Sequence, residues 1–101
     1  YAPSKGTRER KSLLRQRMFF VRVQTMVKNR ICDILDRHPE VISQAPKVSD
    51  LFGVVGLRWL SQAVLAGEDY RLLSCELELL EFLREQISRS NGIVRELASS
   101  P

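Results

Sequence analysis

Residues 7–37, TRERKSLLRQRMFFVRVQTMVKNRICDILDR, decide the fold. No Gly or Pro interrupts them, while Pro3 and Gly6 stand ahead and His38-Pro39 follows. Leu13, Phe20, Val27 and Ile34 recur every seven residues, and Val23 and Ile31 fill the same stripe. That period keeps one apolar seam along a helix. It predicts a helix over residues 7–38 with Thr7 as N-cap, about 45 Å long at about 1.5 Å of rise per residue.

The same period returns at Leu73, Leu80, Ile87 and Val94, joined by Leu77, Leu83 and Leu97, and predicts a second helix over residues 69–98. Leu13 with Val94, Phe20 with Ile87, Val27 with Leu80, and Ile34 with Leu73 each have residue numbers adding up to 107. An antiparallel pairing therefore brings all four layers level. Between the helices, Pro39, Pro46, Gly53, Gly56 and Gly67 break any long period, so residues 39–68 read as an elbow with one or two short helices. Ser49-Asp50 is a candidate cap for one, and Leu57-Arg58-Trp59-Leu60 a candidate start for another. Ser90-Asn91-Gly92 predicts a fray or kink in the last helix. The fold class is all-α, two long helices in an antiparallel hairpin or coiled coil, with residues 1–6 a linker and 99–101 a tail.

Each long helix carries a second apolar stripe: Leu14, Met18, Val21, Cys32 and Leu35 on the first, and Cys75, Leu79, Phe82 and Ile93 on the last, interrupted by Gln86 and Arg89. A helix pair buries one stripe of each member, so the second stripes need another partner. A second copy completing a helical bundle is the simplest one, which makes Leu14, Met18, Val21, Leu35, Leu79 and Phe82 candidate interface residues and a homodimer or larger oligomer the expected state.

With 101 residues the chain holds one domain at most, and no run of apolar residues is long enough to cross a membrane. No secretory leader is recognisable, so a soluble, cytoplasmic protein is expected, and an opening at Tyr1 rather than Met suggests a piece of something longer. Catalysis finds few candidates. His38 is the single histidine, read as a favourable charge near a helix C-terminus. Cys32 and Cys75 read as small core residues, too few for a zinc site or a disulfide framework. Gly53-Val54-Val55-Gly56 lacks the lysine and hydroxyl of a phosphate-cradling loop. Glu78, Glu81 and Glu85 share a helical face that is either solvated, paired with arginine, or a metal site. No catalytic or metal-binding set emerges.

Charge is more informative. Residues 1–37 carry ten Lys/Arg and three acids, a net of +7, while residues 38–101 carry six and nine, a net of −3. Arg8, Lys11, Arg15 and Arg22 fall in a row opposite the seam, extended by Asn29, with Met26 near the row and Phe19 at its margin. Such a row tracks a nucleic-acid backbone, supplying affinity rather than sequence choice. Lys28 and Arg30 are further candidates for backbone contact. Arg10, Arg17 and Lys28 form a second row that faces either solvent or Glu78, Glu81 and Glu85. The alternative is a purely structural coiled-coil module whose basic face is only solvated.

Leu13-Leu14-Arg15-Gln16-Arg17, then Val21 through Ile31 with its Lys28-Asn29-Arg30-Ile31, followed by Ser49-Asp50-Leu51-Phe52-Gly53, Gly56, Trp59-Leu60 and Arg71-Leu72-Leu73, resemble in order the central segment of the insertion-sequence "one-ten" family of bacterial transposases. Tyr1-Ala2-Pro3 resembles the family's exit from its first domain. The resemblance implies a helical, coiled-coil part of an RNA-guided DNA recombinase, involved in DNA transposition, that assembles subunits and touches DNA or a structured guide RNA. It also implies that the RuvC-like acidic site, with its divalent metal, and the nucleophilic serine lie in other domains, so no catalytic residue or cofactor transfers to this chain. Val54 and Val55 stand where members often carry basic residues, which argues against a phosphate role for that turn.

Overall fold

The computed structural model describes residues 5–99, and among them the chain is all-α. Four helices follow one another: α1 (Lys5–Asp36), α2 (Pro39–Ile42), α3 (Val54–Gln62) and α4 (Asp69–Ser99). The first and last are the two long helices that the seven-residue period predicts. α1 begins at Lys5, so Gly6 and Thr7 lie inside it and Thr7 is not its N-cap. Tyr1-Ala2-Pro3 and the side chain of Leu97 fall outside the described residues.

Among the described residues the chain forms two compact units, 26–80 and a second made of 5–25 with 81–99. In the first, the C-terminal part of α1 runs antiparallel to the N-terminal part of α4. Val27, Ile31, Ile34, Leu73 and Leu80 are buried at their seam, and Leu35, Leu60 and Leu65 extend the core into the elbow. Each such side chain contributes roughly 1.5–3 kcal/mol on burial. Arg30–Glu76 and Arg37–Asp69 are ion pairs whose residue numbers add up to 106, one residue from the register set by the apolar layers.

The elbow is built by its prolines and glycines. Arg37 N–H and His38 N–H close the end of α1 on the carbonyls of Ile34 and Leu35, and Pro39 forbids its continuation. Pro39 then opens α2, whose first carbonyl partner is His38. Ser49-Asp50 caps no helix. Asp50 instead accepts Phe52 N–H on Oδ1 at 3.0 Å and Gly53 N–H on its carbonyl at 3.1 Å, which forms a turn leading into Gly53, the N-cap of α3. α3 runs straight through Gly56, so one helix replaces the two candidate starts. At Gly56 a Cβ would lie 1.8 Å from the Leu51 carbonyl oxygen, so only glycine lets the turn pack on the helix. Gly67, at φ 70°, supplies the left-handed residue before α4.

In the other unit, the N-terminal part of α1 pairs with the C-terminal part of α4. Leu83 is buried there, while Leu13, Phe20, Val23, Ile87 and Val94 are half-buried. At Ser90-Asn91-Gly92, where a fray or kink is expected, α4 runs on without interruption to Ser99. Two polar side chains are engaged along this stretch. Ser90, buried, donates its hydroxyl to the Gln86 carbonyl at 2.9 Å, and Asn91 Oδ1 accepts a short hydrogen bond from Arg17 Nε. The apparent weak point is tied into the helix pairing.

Candidate nucleic-acid interface

α1 carries its cations on several faces, and the structure sorts them by what they touch. Arg30 Nε meets Glu76 Oε1 at 2.9 Å. Arg17 donates to Asn91 rather than to Glu78, Glu81 or Glu85. The Lys28 ammonium lies 5.4 Å from the centre of the Phe52 ring, a cation–π contact with the elbow. Arg37, just past the helix, forks onto Asp69 with Nε to Oδ2 at 3.2 Å and Nη2 to Oδ1 at 3.0 Å. Lys28 and Arg30, read from sequence as backbone-contacting candidates, are thus engaged within the chain. Spacing alone did not separate them from the row because their partners, Phe52 and Glu76, come from distant sequence.

Arg8, Lys11, Arg15 and Arg22 are different. All four are exposed, and among the described residues no ion pair engages them. They follow one another at three, four and seven residues, and Phe19 falls in the slot between Arg15 and Arg22 with 57% of its surface exposed. Its ring lies beside that of its neighbour Phe20, at 6.0 Å between centroids. Phe19 thus stands exposed at the margin of the row. Glu9 lies on another side of the helix, so this stretch of the row carries no acid.

The second apolar stripe is divided. Leu14, Met18, Val21 and Thr25 lie in one unit, and Lys28, Cys32 and Leu35 in the other, each set spaced at four and three. At the far end of the stripe Phe52 lies on Lys28 and Leu35 is buried, while Cys32 stays exposed at the rim of a cleft that it and Leu35 border with Ile42, Ala45, Leu51 and Trp59. Leu35 is only 3% exposed, so its neighbours are already within the chain, and it is not available to a second copy. The near end stays open, with Leu14, Met18 and Val21 exposed. On α4, Leu79, Phe82 and Ile93 are exposed as well.

Three other sequence candidates settle into local roles. His38 does more than sit at a helix end: its Nε2 lies 2.7 Å from Asp69 Oδ2 and its Nδ1 3.4 Å from Glu40 Oε1. The hydrogen bond to Asp69 foremost, then that to Glu40, raises its pKa above the ordinary 6.5. The same bond, with help from Arg37, lowers that of Asp69. Cys32 and Cys75 are exposed free thiols and not core residues, because the helix faces that carry them turn outward from the seam. Partial burial, then the charges of Asp36 and Asp33, push the Cys32 thiol up. Glu78 and Glu81 are exposed, and Glu85 pairs with Arg89 at 2.8 Å one turn away. No group of three or more His, Cys, Asp or Glu able to hold a metal occurs among the described residues, and none of their helices is long and apolar enough to cross a membrane.

Fold and surface together define a class: an all-α helical hairpin with an elbow, bearing one open cationic row and a partly covered apolar stripe. No protein-family model, curated protein or solved structure matches the chain.

Proposed function

We propose that the chain is a nucleic-acid-contacting and self-associating helical segment of a DNA transposase or recombinase whose chemistry resides in other domains. One observation carries the nucleic-acid part of this reading. Of the cations on α1, Arg17, Lys28 and Arg30 have partners inside the chain, whereas Arg8, Lys11, Arg15 and Arg22 stand exposed in one row. A polyanion with regularly spaced phosphates is the partner that such a row fits. Self-association is supported by the open end of the α1 stripe, Leu14, Met18 and Val21, now without Leu35. The transposase assignment rests on the ordered sequence resemblance.

Charge reversal tests the reading. Arg15→Glu with Arg22→Glu weakens binding to a labelled oligonucleotide by tenfold or more and leaves the mass by light scattering unchanged. Unchanged binding across a salt series contradicts the nucleic-acid claim and favours a purely structural module. For self-association, the chain runs as a dimer or larger at high concentration, and Met18→Glu shifts it to monomer. A wild-type chain that is monomeric at every concentration overturns that half.

A further inference from the structure

The cationic row has more than cations beside it. Arg15, Phe19 and Arg22 follow one another at four and three residues, on one face of α1, and all three are exposed. Phe19 brings a phenyl ring with 57% of its surface exposed into this cationic face. A duplex offers phosphates to such a face and keeps its bases stacked inside. An unpaired strand offers both phosphates and the flat faces of its bases, and a phenyl ring between two guanidinium groups matches that alternation. Charge complementarity points the same way, because the row from Arg8 to Arg22 has four cations and no acid.

We infer that this face binds an unpaired nucleic-acid strand, with a base stacked on Phe19 and the flanking phosphates held by Arg15 and Arg22. Arg8 and Lys11 extend the phosphate track toward the N-terminus of α1. The inference rests on the nucleic-acid reading above and narrows it to a class of ligand. The stacking platform is indifferent to base identity, since every base has a π face, so little sequence preference accompanies it.

The test uses fluorescence anisotropy on the whole chain with an oligo-dT dodecamer and a mixed-sequence duplex of equal length, at one fixed salt concentration. The single strand binds more tightly than the duplex. Phe19→Leu, which keeps an apolar side chain of helical propensity, weakens single-strand binding at least about fivefold and leaves duplex binding unchanged. An oligo-rU dodecamer behaves like the dT strand, because phosphate and base face are common to both. Equal loss on strand and duplex, or a duplex bound more tightly by the wild-type chain, overturns the inference while leaving the nucleic-acid reading intact. Absence of binding to either probe by the wild-type chain overturns both. Far-ultraviolet circular dichroism of the Phe19→Leu chain, unchanged from wild type, excludes loss of fold as the cause.

Discussion

Arg30 and Glu76 meet across the helix seam at 2.9 Å, and the second oxygen of Glu76 is buried without a hydrogen bond. The two ends of this pair live in different surroundings: the Arg30 side chain is largely in water and that of Glu76 is nearly enclosed. Desolvation falls on the carboxylate, and one exposed guanidinium compensates it only in part. Ile31, fully buried, lies at the same level of the seam.

Glu76→Leu is therefore expected to stabilise the chain, by about 1–2 kcal/mol, because it replaces an imperfectly satisfied carboxylate with a side chain of similar volume. Arg30 is then left in water, where it needs no partner. Urea unfolding at neutral pH measures the change, and a loss of stability contradicts this view of the pair.

Two glycines respond in opposite ways to alanine. At Gly56 the new Cβ collides with the backbone at Leu51, and neither the turn nor α3 can yield cheaply. Gly56→Ala is expected to destabilise by about 3 kcal/mol or more. At Gly92, within α4, nothing lies within 4 Å of the new methyl group. Gly92→Ala is expected to stabilise by about 0.5–1 kcal/mol through helix propensity. Denaturation midpoints of the two variants give the comparison, and a tolerated alanine at 56 contradicts the packing described.

The contrast shows what was legible in the sequence. Seven-residue spacing set the two long helices and their register, because an apolar seam repeats a local signal many times over. The elbow followed from Pro and Gly positions, but its turn at Asp50 and its single helix α3 depend on Gly56 meeting Leu51, a contact without a periodic signature. At Ser90-Asn91-Gly92, Asn91 is held by Arg17, more than seventy positions away, a contact that local sequence does not announce. Likewise, the row of open cations was visible by spacing, while the withdrawal of Lys28, Arg30 and Leu35 depends on elbow and α4 residues that spacing does not connect to α1.

The elbow is clasped by charge, and its strength depends on pH in two directions. His38 has a raised pKa, so its contribution is complete below the ordinary value of 6.5 and is lost as pH rises through the raised value. Asp69 has a lowered pKa, so its contribution is complete above the ordinary 3.8 and is lost as pH falls through the lowered value. The clasp is strongest between those two ordinary values. His38→Gln is expected to flatten the alkaline limb of a stability–pH profile, and Asp69→Asn to lower the maximum and flatten both limbs. A wild-type profile that rises through neutral pH into the alkaline range contradicts the clasp.

The division of α1's cations into open and engaged sets is the centre of this account, and the salt dependence of nucleic-acid binding measures it most directly. Each phosphate contact contributes about 0.7–0.9 to the slope of log affinity against log salt. Arg15→Gln and Arg22→Gln should each reduce that slope by about this amount, whereas Arg30→Gln should leave it unchanged because Arg30 belongs to Glu76. Equal reductions from all three substitutions, or none from Arg15 and Arg22, would contradict it.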